Sequence, residues 1–286
     1  MLSHTKWTAL EKSMPEIYRS NPLVIFHAVR LFLKDLSGNH STVFRLYERD
    51  HINRHKGTAF GKVWVIFNPC IPLIVYNSLQ WMGVFGTSSS DVPRVVSLTL
   101  GLTIYYTFSE ALQSVSGSVV QNQGFIINTG ISKMALILSR LYGVVTNFFI
   151  RMLAFVVTLL LYADYFTPKI FLLPLAIIPV LVLALSLGLV LSLLTVIYRD
   201  VLPVLSLVTF YLLFCSGVFG RFTETGSFFD VLELSPIYIT INGFRDFLFL
   251  GAMQFTTGEW FSLTTCLVLF PISLLLFYRG ESYVNS

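Results

Sequence analysis

Six apolar stretches, at about 63–86, 92–118, 135–163, 170–197, 201–220 and 259–278, constrain this chain more than any other feature. A hydrocarbon core of about 30 Å takes about 20 apolar residues to cross as a helix. Within lipid, a helix is how one segment satisfies all of its own backbone groups. The pattern predicts an all-α integral membrane protein with six transmembrane helices. Charge density agrees: 12% of the 286 residues are charged and 55% are hydrophobic, whereas soluble domains carry about 25% charged residues.

The water boundary is set at residues 46–69, where a basic run carrying Arg49, Arg54, Lys56 and Lys62 passes directly into Val63 and Trp64. A half-apolar, charged helix lies in the headgroup plane. Residues 1–62 are therefore expected as a cytoplasmic, amphipathic interfacial region and 63–286 as the six-span domain. Upstream, Leu23, Phe26, Leu31 and Phe32 are interrupted by His27, Arg30 and Lys34, which argues against a secretory leader. Ten of the nineteen Lys and Arg precede Val63. Lys133, Arg140, Arg199 and Arg279 fall in the later segments that six spans would place on the same side. Positive charge marks that side as cytoplasmic, with both termini there.

Several chemistries are excluded. Cys70, Cys215 and Cys266 stand singly in apolar stretches, without disulfide or metal-ligand spacing. His51 and His55 share a helical spacing but have no third ligand nearby, so no metal is expected. Gly57-Thr58-Ala59-Phe60-Gly61-Lys62 has one residue too few between its glycines for a phosphate loop, and Val63 follows the lysine where Ser or Thr is needed. No cofactor is expected on this chain, and a net charge of +4 gives no case for nucleic acid.

Glu110 and Arg151 lie well inside the second and third apolar stretches. Charge at that depth should pair or face water, so they either form an ion pair or line a polar conduit. Trp64, Phe67, Tyr76, Trp81, Tyr105, Tyr106 and Phe108 recur along the first two spans rather than only at their ends. They suit stacking on sugar rings in a channel, or packing against lipid and core. Tyr198-Arg199-Asp200 reads as a tight hairpin held by an Arg–Asp contact, with Pro203 in the next helix's first turn. Residues 221–258 are aromatic but broken by Asp230, Glu233, Pro236, Asn242, Arg245 and Asp246. They read as two short re-entrant helices (221–250) before the last span, or as an ordinary loop.

In order along the chain, several blocks resemble the membrane subunits of ABC-2 type transporters that export capsular polysaccharide, O-antigen and teichoic acid, the capsule exporters most of all. These are Arg49-Asp50, Arg54, Lys56, Gly61, Trp64 and Pro69; Gly101 to Leu112; Gln121-Asn122-Gln123-Gly124-Phe125; Tyr198-Arg199-Asp200; Ser235-Pro236 followed by Arg245; and Phe277-Tyr278-Arg279-Gly280-Glu281-Ser282. The chain departs from the family at Gly130-Ile131-Ser132-Lys133, where Phe-Pro is common, and at Ser235, where Asn is usual.

The resemblance implies the ABC-2 (type V exporter) fold and a homodimer with two separately encoded ATP-binding cassette subunits that carry ATP and Mg. In it, 121–133 is the segment that couples to the ATPase, with Gln121, Asn122, Gln123, Gly124, Phe125, Tyr198, Arg199 and Asp200 at that contact. Arg49, Asp50, Arg54 and Lys56 would frame the entrance for a lipid-linked polysaccharide. Ser235, Pro236 and Arg245 would shape the exit. The bacterial inner membrane is the implied location, with periplasmic and outer-membrane polysaccharide export proteins as further partners. Other readings are export of O-antigen, teichoic acid or a small molecule on the same fold, and a membrane-embedded glycan-processing enzyme. The last would need clustered acid and base residues that the sequence does not show.

Overall fold

A computed structural model describes residues 40–52, 63–85, 92–129, 131–165, 167–220, 234–249 and 257–284, with Val29, Arg30, Phe32 and Leu232 besides. Among the described residues the secondary structure is helical, with no strand. Helix α1 (His40–Tyr47) runs into a π-helical turn at Glu48–Ile52. There follow α2 (Val63–Trp81), α3 (Arg94–Gln121), the short α4 (Gln123–Thr129) and α5 (Lys133–Leu161). A 3-10 run at Pro168–Ala176 leads into α6 (Ile177–Ile197), then come α7 (Val201–Cys215), α8 (Pro236–Phe249) and α9 (Thr257–Val284).

Among the described residues, four helical segments are long and apolar enough to cross a membrane: Val63–Trp81, Arg94–Gln121, Lys133–Leu161 and Pro168–Ile197. The fourth is not α-helical throughout. Pro168 and Pro174 each lack an N–H, and the tighter 3-10 winding persists until Pro179 can sit in the first turn of α6. Helix α7 has 15 residues and stops at Cys215 rather than running on to 220. Gly217 there takes φ +73°, a left-handed geometry that ends a helix. In α9 the apolar stretch is Thr264–Gly280.

Helix α3 is the axis of the bundle. Of its apolar stretch 78% is buried, against 11% for α2, so α3 carries the core while α2 lies on the outside. Small residues permit this: a Cβ on Gly188 of α6 would lie 2.8 Å from the Val115 side chain of α3. Close approach through small residues is how helices associate where lipid removes the hydrophobic drive. The buried hydroxyls are satisfied locally. Thr99, Thr103 and Thr107 each donate to the carbonyl four residues back, and Thr195 reaches across from α6 to the Ser116 carbonyl at 2.8 Å.

At the end of the bundle that carries α4, a second apolar cluster joins Val43 and Leu46 of α1 to Met134 and Ile137 of α5 and Phe277 of α9. Val43, Leu46 and Tyr47 of α1 thus face protein, while Phe44 is exposed. The Tyr47 hydroxyl seals the contact at 3.0 Å from Thr146 Oγ1. At the opposite end two arginines hold the turn after α7. Arg94 donates to the Phe219 carbonyl at 2.7 Å, and Arg245 of α8 donates to the carbonyls of Gly217 and Val218 at 3.2 and 3.1 Å. Cations at the carbonyl end of a helix satisfy groups the helix cannot satisfy itself.

Candidate functional site

Glu110 of α3 and Arg151 of α5 meet in a salt bridge, and the Asn147 amide donates to the other Glu110 oxygen. Asn147 lies one helical turn before Arg151, so both face α3 from the same stripe of α5. Arg151 is 4% exposed and is held further by Thr107 Oγ1 and the Pro69 carbonyl, each at 3.3 Å. One guanidinium therefore ties together α2, α3 and α5. The pair also lines a partly open polar cavity of about 270 Å³, together with Val65, Asn68, Ser114, Ser139 and Gly143 and with Tyr47, Asp50 and Arg140. The structure thus brings Glu110 and Arg151 together as a pair beside a bounded polar cavity.

Arg140 reaches Asp50 at 3.3 Å, and Arg49 Nε donates to the other Asp50 oxygen at 2.6 Å. Arg49 also donates to Asn122 Oδ1 at 3.4 Å, and its guanidinium carbon lies 4.0 Å from the centre of the Phe125 ring. Asn122 in turn donates to the Ser118 carbonyl at 2.8 Å. The segment 121–133 and the turn after α1 are thus joined through Arg49, and Asp50 links that joint to the rim of the cavity. Arg54 and Lys56 lie outside the described residues. Gln121, Gln123 and Gly124 sit around the start of α4, and Ser132 caps α5 by accepting from the Ala135 N–H at 3.2 Å.

Tyr198, Arg199 and Asp200 form an exposed turn between α6 and α7. The contact expected within it does not form: among the described residues no ion pair joins Arg199 to Asp200, and Asp200 makes no side-chain cap to α7. A surface pair in high dielectric gains too little to impose such a geometry.

The aromatic set divides three ways. Phe67 and Trp81 point away from the bundle, 53% and 73% exposed. Trp64 is half-buried beside them on α2, and Tyr76 packs on Phe219, with ring centres 5.6 Å apart. Phe108 is buried in the core. Tyr105 and Tyr106 line a groove of about 180 Å³ between α3 and α7 with Ser109, Gln113, Ser206, Thr209 and Phe210. There the Tyr105 hydroxyl donates to the Thr209 carbonyl, and the Gln113 amide donates to Ser109 Oγ at 3.1 Å and Thr209 Oγ1 at 3.0 Å. The outer residues of α7 beside this groove, among them Val204, Leu207 and Tyr211, are exposed.

Ser235 accepts from the Tyr238 N–H at 3.3 Å with Pro236 opening α8, so serine performs the capping an asparagine would. One of the two expected short helices is thereby seen, α8; the stretch 221–231 lies outside the described residues. Sequence reasoning missed Asn147, Gln113 and Thr209, and took Arg140 only as a mark of the cytoplasmic side. For Asn147 the signal was its spacing of four before Arg151; the others show only when α3 is placed against its neighbours.

A helical bundle with four segments long and apolar enough to cross a bilayer among the described residues defines a polytopic membrane domain. The chain belongs to the ABC-2 type transporter family, whose model matches residues 42–249. It is accordingly the membrane subunit of an ABC transporter, working with ATP-binding cassette subunits. No curated protein matches it significantly.

Proposed function

We propose that this subunit exports a lipid-linked capsular polysaccharide across the bacterial inner membrane, as a homodimer bound to two ATP-binding subunits that supply ATP and Mg. The observation that carries the reading is the α3–α7 groove. Half-buried Tyr106 and Gln113 and exposed Ser206 stand there beside the exposed side of α7, above the buried Tyr105 and Thr209. Rings that stack, with neutral hydrogen-bonding groups between them, hold a sugar chain without fixing it. A second copy placed against α7 and α2 would close that face into a path between the two subunits.

In this reading the chain crosses six times, α7 and α9 completing the set, with both termini in the cytoplasm. α4 with Gln121 to Phe125, and the exposed Tyr198-Arg199-Asp200 turn, meet the ATPase. Arg49, Asp50, Arg54 and Lys56 frame the entrance; Ser235, Pro236 and Arg245 stand at the exit. The reading is tested by Gln113→Leu with Thr209→Val, which keeps volume and removes the polar ladder. Polymer should accumulate inside the cell while the transporter still assembles and hydrolyses ATP. Undiminished surface polymer in that strain, or in one lacking the ATPase, refutes it.

A further inference from the structure

The cavity between α2, α3 and α5 is separate from the α3–α7 groove and has its own chemistry. The charged side chains that line it among the described residues are Asp50, Glu110, Arg140 and Arg151; Glu110 meets Arg151, and Asp50 is shared by Arg140 and Arg49. Each of these charges already has an opposite partner, so none is left over to hold an ion. What remains is neutral and polar. Asn147 is 8% exposed, and its buried Oδ1 has no hydrogen-bond partner. Pro69 and Pro72 bring no N–H to the carbonyls of Val65 and Asn68, four residues earlier on α2, and both of those residues line the cavity. Ser114 and the Asn68 amide add groups that can donate as well as accept.

Asn147 Oδ1 and the two carbonyls that proline deprives of their usual intrahelical donor are acceptors that a ligand's donors can meet. Hydroxyl groups, each donor and acceptor at once, answer that mixture. The volume of about 270 Å³ falls just below the roughly 300–1,000 Å³ of drug-sized sites. It has room for one ring and not for a chain.

We propose that this cavity is a binding site, within a single subunit, for one neutral polyhydroxylated ring. The ring is either a free sugar or a sugar borne on a lipid; that it belongs to the exported polymer rests on the function proposed above, whereas the site itself does not.

The test uses the assembled transporter in nanodiscs, carrying Cys70→Ala, Cys215→Ala and Cys266→Ala. Ser114→Cys reports from the cavity wall and Tyr198→Cys from the exposed turn, by their rates of reaction with a small thiol reagent. Glucose in solution, or a monoglucosyl lipid in the nanodisc, should slow Ser114→Cys several-fold and leave Tyr198→Cys unchanged. Which of the two protects identifies the source of the ring. Inorganic phosphate and potassium chloride should give no protection, and Asn147→Leu should abolish it. Should that variant fail to fold, Asn68→Cys on the facing wall must be protected in parallel with Ser114→Cys. An unreactive Ser114→Cys, equal protection by phosphate, or protection surviving Asn147→Leu overturns the proposal. No exported polymer is needed in this assay, so undiminished surface polymer in the cell test refutes the functional reading alone.

Discussion

Removing one partner of the Glu110–Arg151 pair tests how the bundle tolerates charge at its centre. In Arg151→Gln the carboxylate keeps Asn147 but loses its cation, and the links to Thr107 and the Pro69 carbonyl are lost as well. Breaking a buried pair costs about 3–5 kcal/mol. The Glu110 side chain is 26% exposed towards a polar cavity, so the lower end applies, about 3 kcal/mol. At about 2 °C per kcal/mol for a chain of this size, the melting temperature in nanodiscs should fall by about 6 °C. Glu110→Gln strands the arginine, which is only 5% exposed, and should cost at least as much. The double variant leaves two neutral amides able to bond each other. Its loss should not exceed that of either single change, a coupling of at least about 3 kcal/mol. Thermal unfolding followed by retention of the monodisperse species measures all three. A double variant that falls by the sum of the single losses, about 12 °C, would show that the two side chains are not coupled and refute the reasoning.

At Gly217 a Cβ would lie 2.6 Å from the Tyr238 ring, on a backbone at φ +73°, so Gly217→Ala should destabilise by about 2–4 kcal/mol from strain and overlap together. Gly83→Ala meets nothing within 4 Å at a similar φ and should cost about 1 kcal/mol; the difference in melting temperature between the two variants checks the packing term. Gly188→Ala pushes α6 off Val115, and Val115→Ala introduced with it should restore most of the lost stability. Arg49→Ala removes the contact with Phe125 and the bond to Asn122 at an exposed site, so stability should change by no more than about 1 kcal/mol. Export per ATP hydrolysed should nevertheless drop if Arg49 transmits motion from α4, and a normal ratio would remove it from that role.

The family, the helical class and the approximate placing of the apolar segments could be read from the chain alone. Length in lipid is a one-dimensional requirement: about 20 apolar residues span a bilayer whatever surrounds them. The helix α2 begins at Val63, where the basic run ends, and the places of Glu110 and Arg151 within α3 and α5 followed from counting along a helix. What the sequence could not settle was which faces meet. The end of α7 at Cys215 depends on carbonyls captured by Arg94 and Arg245, from residues 125 and 28 positions away in the sequence. The Arg199–Asp200 pair, adjacent in sequence, gains nothing at a solvated turn, while Arg151 finds Glu110 from 41 residues away. Identical tyrosines at 105 and 106 and phenylalanine at 108 part company because α3 turns some towards α7 and others into the core. Hydropathy decides that a residue lies in the membrane; only the packing of α2, α5 and α7 around α3 decides whether it faces lipid, core, cavity or groove, since that depends on contacts distant in sequence.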